Sequence, residues 1–282
     1  MSLGAGEIEA AVRIALDEDL GTAGDVTSRA VIPERARARG RIVARARLVL
    51  AGLAVARAVF VRRDPDVEFR ALRRDGERLD AGDVVAEVTG RTRALLEAER
   101  SALNFLMRMS GIATATRAAV DEIAGTAAVV LDTRKTAPGL RRLDKYAVTA
   151  GGGHNHRMGL YDGVMIKDTH LDGGCTIEQA VRRALDAGHP RESITVEVRS
   201  PAEVDRAVAA GAGRVLLDNM SPDALREAVG RGRGRVVLEA SGGLRPGSLR
   251  RVAETGVDCM SLGWLTHSAT AADLAMEMEA LG

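Results

Sequence analysis

From position 127 onward, short apolar runs rich in β-branched residues alternate with segments of helical periodicity, and this alternation constrains the fold more than any other feature. The runs are AVVLD (128–132), GVMIKD (163–168), SITVEV (193–198), RVLLD (214–218), RVVLEA (235–240) and VDCMSL (257–262). Between them lie TIEQAVRRALDAG, PAEVDRAVAAG, SPDALREAVG and PGSLRRVAETG. Strand–helix–strand repetition predicts a parallel sheet with crossover helices. A closed (β/α)8 barrel needs roughly 250 residues. The stretch available is much shorter, so an α/β fold with an open, incomplete TIM-like α/β barrel is expected. A doubly wound open sheet is the alternative. Against it, no GxGxxG follows the first strand of a βαβ unit.

The first third reads as a mixed α and β unit. Ile8, Ala11, Val12, Ala15 and Leu16 sit at helical spacing and predict an opening amphipathic helix, which the Gly- and Asp-rich stretch 17–27 ends. Over 42–50, Ile42, Ala44, Ala46 and Leu48 alternate with Arg41, Arg45 and Arg47, the pattern of a half-solvated strand. A helix is expected over 51–63, and short strands over 67–72 and 83–88. One long helix is expected over 92–109, with Leu95, Ala98, Ala102, Leu106 and Met109 as its buried stripe. Arg100 projects from the opposite side, where spacing alone makes it a solvated arginine.

The 282 residues carry 40 basic and 39 acidic side chains, a net charge of +1, which argues against an obligate nucleic-acid binder. Apolar residues make up 46 %, enough for a core. Aromatic residues make up 2 %, too few for base-stacking platforms. No apolar run is long enough to span a bilayer, and the N-terminal MSLGAGEIEA lacks the pattern of a secretory signal. Cys175 and Cys259 form no CxxC pair. A cytoplasmic protein is expected, with no nucleic-acid or membrane partner. Only three of the basic residues are lysine, Lys135, Lys145 and Lys167, all in one stretch. In a chain that otherwise uses arginine, a retained lysine suggests a need for its compact ammonium.

The residues that close each predicted strand are polar or glycine. Thr133, Arg134 and Lys135 follow the first run, and Lys167 and Asp168 end the second. Glu197 lies in the third, and Asp218 and Asn219 close the fourth. Ser241, Gly242 and Gly243 follow the fifth, and Gly263 the sixth. In parallel α/β folds the C-terminal rim is where ligands bind. Arg134, Lys135, His156, Arg157 and Lys167 form a cation set that would repel itself without an anionic ligand. Arginine forks suit carboxylates or phosphates. Glu197 and Asp218, from successive strand ends, suit Mg²⁺ or sugar hydroxyls. Glycines at strand-to-helix turns let backbone N–H groups approach a phosphate. The combination points to a phosphorylated sugar reacting with a carboxylated partner.

The blocks TRKTAPGLRRLDKYAV (133–148), GGGHNHRMGLYDGVMIKDTH (151–170), VEV, LLDNMSP (216–222), EASGGL (239–244) and SLGWLTHS (261–268) resemble the quinolinate phosphoribosyltransferase family, also called carboxylating nicotinate-nucleotide pyrophosphorylase. EDLGTAGDVT, VLAGLAVA and TRALLEAERSALNFLMRMSGIAT extend the resemblance to the front of the chain. It implies an N-terminal α/β sandwich domain over 1–108, with the tail 267–282 returning to it, and a catalytic open barrel over 109–266. It implies a homodimer with a shared active site, with hexamers of such dimers left open. Quinolinate and phosphoribosyl pyrophosphate would react to nicotinate mononucleotide, pyrophosphate and carbon dioxide, a step of NAD synthesis. The resemblance assigns Arg100 (donated by the partner subunit), Thr133, Arg134, Lys135, His156, Arg157 and Lys167 to quinolinate. It assigns Lys135, Lys167, Glu197, Asp218, Ser241, Gly242, Gly243, Leu262, Gly263, Trp264 and His267 to the phosphoribosyl substrate. Lys135, Glu197 and Asp218 are the expected catalytic groups, and Glu197 and Asp218 the expected Mg²⁺ ligands.

Three positions depart from the family pattern: Trp264, where Ala is usual; Thr169, which turns KDNH into KDTH; and Arg199, after VEV. They leave a paralogue acting on a different carboxylated aromatic base as the alternative. A Schiff-base lyase using Lys167 or Lys135 and a non-catalytic phosphate-binding module fit the full residue set less well.

Overall fold

The computed structural model describes residues 1–281. In chain order the strands are β1 (Arg37–Ala44), β2 (Leu48–Val49), β3 (Glu68–Ala71), β4 (Arg78–Leu79), β5 (Val84–Arg91), β6 (Val129–Leu131), β7 (Val164–Ile166), β8 (Ile194–Val198), β9 (Arg214–Asp218), β10 (Val237–Ser241), β11 (Cys259–Ser261) and β12 (Leu274–Leu281). The chain forms two compact units. The first comprises Met1–Arg117, Thr136–Gly152 and the C-terminal segment from Leu265; the second comprises Ala118–Lys135 and Gly153–Trp264.

The first unit is built on a four-stranded antiparallel sheet in the order β12-β1-β5-β3, so the last strand pairs along the whole of the first. The opening helix, Ala5–Leu20, buries Ala11, Val12 and Leu16 and packs on the helix Leu53–Arg63. The pattern over 42–50 does not make one strand. The β1–β5 register shifts between Ile42 and Val43, and both side chains are buried. Such a bulge breaks strict alternation. The strand ends at Ala44, Ala46 is exposed in the bend, and Leu48–Val49 forms a separate pair with β4.

The long helix runs Thr92–Glu122, well beyond its expected end at Met109. Its expected stripe, Leu95, Ala98, Ala102, Leu106 and Met109, is fully buried, and Arg100 is exposed. Gly111 is not a helix stop. A Cβ there would come 2.1 Å from the Thr270 carbonyl oxygen, so glycine admits the C-terminal segment against the helix. The Thr114 and Thr116 hydroxyls bond back to the carbonyls of Ser110 and Ile112, which keeps them inside the helix without orphaned polar groups. The stretch Thr136–Gly152, placed in the barrel from sequence, belongs to the first unit. Its helix Arg141–Ala150 carries Lys145, which is fully buried.

The second unit is a six-stranded parallel sheet in the order β6-β11-β10-β9-β8-β7. β6 and β7 are the two edges and do not pair with each other, so among the described residues the barrel is open. Ile194, Val196, Val215, Leu217 and Leu238 have at most 1 % exposure. Each such side chain contributes about 1.5–3 kcal/mol by leaving water. The crossover helices start at sequence-encoded caps. Thr176 and Gln179 close a capping box, and Ser221 caps the helix whose first residue is Pro222.

Candidate active site

The parallel register sets the rim. Glu197 pairs with Leu216, which pairs with Glu239 and onward with Cys259. Two residues further along, Asp218 pairs with Ser241, and Ser241 with Ser261. Because side chains alternate with period 2, Glu197, Glu239, Asp218, Ser241 and Ser261 all project from one face. Glu197 and Asp218 are thus brought to the same side of neighbouring strands.

Lys167 follows β7 at the sheet edge, and its Nζ lies 3.5 Å from Glu197 Oε2. Asp218 accepts a hydrogen bond from Asn219 Nδ2 at 2.9 Å. Asn219 itself adopts a left-handed backbone, φ 51°, and its N–H donates to the Ser241 carbonyl at 2.9 Å. Its side chain lies over Gly242 so closely that a Cβ there would come 2.4 Å from Oδ1. Gly242 and Gly243 have φ of 87° and 64°, both in the left-handed region. Gly263 follows β11. The Leu262 N–H donates to the Leu131 carbonyl at 2.9 Å, which fixes the second glycine turn to β6.

The cations arrive along β6. The Leu131–His154 bridge is parallel, and the His154 N–H donates to the Val130 carbonyl at 2.8 Å, so the HNHR segment (154–157) starts along that edge. Asp132, fully buried, accepts from Asn155 Nδ2 at 2.6 Å and from the His156 N–H at 2.8 Å. Thr133 Oγ1 accepts the Lys135 N–H at 3.0 Å and shapes that turn, with the Lys135 side chain exposed. Arg157 donates to the Gly163 carbonyl at 3.0 Å. Burial, followed by the nearby charge of Arg134, lowers the Arg157 pKa against the opposing pull of Asp162. A buried guanidinium weakened by a neighbouring positive charge is poised for an anion.

His156 is held from both sides. Its Nδ1 accepts the Arg157 N–H at 2.7 Å, and its Nε2 lies 3.3 Å from Glu239 Oε2. Glu239 is fully buried and is also 3.0 Å from Arg214 Nη1. Burial would raise the Glu239 pKa, but contacts to His156, Ser261 and Arg214 outweigh it and hold the carboxyl below its ordinary value. The same burial and the Glu239 charge push the Cys259 thiol up to about 12, so that cysteine is inert.

Arg100 and His267 lie in the first unit, both exposed; His267 Nδ1 is 2.6 Å from Ser268 Oγ. Of the three departures, Arg199 pairs with Asp168 between the ends of β8 and β7, and Thr169 is exposed beside it. Trp264 Nε1 donates to the Leu244 carbonyl at 3.0 Å. The pairing partners Asp132, Glu239, Arg214 and Asn219 received no role from sequence. The one signal available was a carboxylate inside or closing an apolar run, as in VVLD and VVLEA.

For Mg²⁺ the donor set is two carboxylates facing one way; among the described residues no group of three or more His, Cys, Asp or Glu side chains forms a cage. That suits an ion carried mainly by substrate phosphates, since Mg²⁺ usually takes one or two protein carboxylates and keeps phosphates and waters.

An open parallel sheet with cations, paired carboxylates and glycine turns on one rim defines the class: an α/β-barrel enzyme built for anionic substrates. The chain belongs to the quinolinate phosphoribosyl transferase family. Residues 25–110 match that family's N-terminal domain and residues 112–277 its C-terminal domain. It is 42 % identical to the probable nicotinate-nucleotide pyrophosphorylase [carboxylating] of Bacillus subtilis, over 93 % of this chain and 90 % of that one. It is 37 % identical to a decarboxylating quinolinate phosphoribosyltransferase of Nicotiana tabacum, over 97 % of this chain and 83 % of the other. The crystal structure of NadC from Streptococcus pyogenes superposes with a TM-score of 0.95 at 37 % identity, covering 100 % of both chains.

Proposed function

We propose that this chain is a quinolinate phosphoribosyltransferase of NAD biosynthesis. It joins quinolinate to phosphoribosyl pyrophosphate and releases nicotinate mononucleotide, pyrophosphate and carbon dioxide. The observation that carries the reading is the single rim that holds both a dicarboxylate-type cation set and a same-face carboxylate pair, in a member of this family. A paralogue for another base is not favoured: Arg199 bonds to Asp168, Trp264 bonds to Leu244, and Thr169 is exposed.

Arg134, Lys135, His156, Arg157 and Lys167, with Thr133 shaping the turn, hold the two quinolinate carboxylates, and Arg100 is contributed by the partner subunit of a homodimer. Placing the ring nitrogen in line with ribose C1′ is a positioning effect, in favourable cases on the order of 7–11 kcal/mol of barrier. The nitrogen lone pair forms the bond to C1′ as the C1′–oxygen bond breaks and its electron pair leaves with pyrophosphate. Glu197 and Asp218 hold the ribose hydroxyls and stabilise the positive charge that develops at C1′. They would also hold Mg²⁺, which supplies charge neutralisation for the departing pyrophosphate. Ser241, Gly242, Gly243, Leu262 and Gly263 bind the 5′-phosphate through the turns after β10 and β11, with His267 at the phosphate end. The cationic ribosylated ring nitrogen stabilises the electron pair that stays on C2 when the C2–carboxylate bond breaks and carbon dioxide leaves. Lys135 supplies the proton to C2. The two thiols, neither in a disulfide, accord with a cytoplasmic enzyme.

The test is to incubate the protein with phosphoribosyl pyrophosphate, Mg²⁺ and either quinolinate or nicotinate, and to follow nucleotide by mass spectrometry. Nicotinate mononucleotide from quinolinate only is expected. Product from nicotinate only, or from neither, would overturn the assignment of the base.

A further inference from the structure

The turn after β10 passes through Gly242 and Gly243, two consecutive residues with φ of 87° and 64°. Glycine backbone of this kind has the most freedom to lose on ordering. Its shape must therefore come from what is bonded to it. At the start of the turn, the Asn219 N–H holds the Ser241 carbonyl at 2.9 Å and the Asn219 side chain covers Gly242. At its end, Trp264 Nε1 donates to the Leu244 carbonyl at 3.0 Å. Beyond that point the Glu122 carboxylate accepts the N–H groups of Gly247 at 3.0 Å and Leu249 at 2.7 Å. Trp264 directly follows Gly263, so its indole joins the turn after β11 to the turn after β10. Those are the two turns of the proposed phosphate cradle. An indole N–H is a donor only, so this bond has a fixed sense, and the half-buried ring is its rigid arm.

We propose that Trp264 is a positioning residue for the 5′-phosphate. It clips the 241–244 turn into the shape that presents backbone N–H groups to the phosphoribosyl substrate. Pre-forming the turn removes an ordering cost from binding. The inference rests on the phosphoribosyl transfer proposed above and adds the residue that fixes its phosphate end.

The chain has one tryptophan, so its fluorescence reports this clip alone. Titration with phosphoribosyl pyrophosphate or ribose 5-phosphate is expected to shift the emission saturably, and quinolinate alone to leave it unchanged. Trp264→Phe keeps a ring and removes the donor. It should raise KM for phosphoribosyl pyrophosphate about three- to tenfold, the equivalent of one neutral hydrogen bond, with kcat and the KM for quinolinate unchanged. A wild-type KM for phosphoribosyl pyrophosphate in Trp264→Phe would overturn the proposal, as would an equal rise in both KM values. If the variant does not fold, the wild-type emission decides: no response to saturating ribose 5-phosphate overturns the clip. If the wild type does not turn over quinolinate, the reaction assigned above fails, while the ribose 5-phosphate titration still tests the clip by itself.

Discussion

His156 Nε2 lies 3.3 Å from Glu239 Oε2, in the same row of the sheet as Glu197, with Arg214 3.0 Å from the same oxygen. A carboxylate with no solvent exposure thus ties a candidate substrate-binding ring to the base of the neighbouring strand. Truncating one member of a buried ionic group leaves the others uncompensated, which is costlier than the group's net worth.

Glu239→Gln is therefore expected to lower stability by about 3 kcal/mol and to raise the KM for quinolinate more than that for phosphoribosyl pyrophosphate. The folded-state pKa of Glu239 lies below the ordinary 4.5. Its charged form thus contributes stability that is fully present above that value and is lost as pH falls through the depressed folded value. Urea unfolding of wild type across the carboxylate range should show this acid limb, and Glu239→Gln should flatten it. Identical acid limbs in both proteins would contradict the network.

Arg100 is exposed on the first unit, which fits a residue that completes the site of a partner subunit. Arg100→Ala and Lys167→Ala should each abolish turnover. Mixed after unfolding and co-refolding, they should recover about a quarter of wild-type activity, because in the proposed homodimer half the dimers are hybrids with one intact shared site. No recovery would place Arg100 in its own subunit's site or in none.

Gly242→Ala forces a Cβ toward Asn219 Oδ1, 2.4 Å away, at φ 87°. The strain should cost about 1–3 kcal/mol, measurable as a lowered unfolding midpoint. It should also raise KM for phosphoribosyl pyrophosphate selectively. A rise in the quinolinate KM alone would move the phosphate cradle elsewhere.

Lys135 is the proposed proton source after decarboxylation. In Lys135→Met the ratio of carbon dioxide to pyrophosphate released should fall below one, with a nucleotide that retains both carboxylates accumulating. Equal release of the two products at any reduced rate would remove that role.

The parallel sheet was legible because its strands are buried β-branched runs bounded by glycine, proline and capping residues. Lys167, Glu197, Asp218 and Ser241 were legible as rim residues because a strand's end fixes where its last side chains stand. What periodicity could not show were local irregularities and distant pairings. The bulge at Ile42 and Val43 makes both face the core. The packing of Thr270 against Gly111 joins two distant parts of the chain that no local pattern connects. Glu239 reads as one polar residue in an apolar run, since His156 and Arg214 are brought to it only by the sheet.

The most direct test of the central claim uses quinolinate labelled with carbon-13 at the C2 carboxylate, with phosphoribosyl pyrophosphate and Mg²⁺, followed by NMR. Labelled carbon dioxide, pyrophosphate and unlabelled nicotinate mononucleotide should appear in equal amounts. Labelled carbon dioxide without pyrophosphate, or a final nucleotide that keeps the label, would contradict that claim.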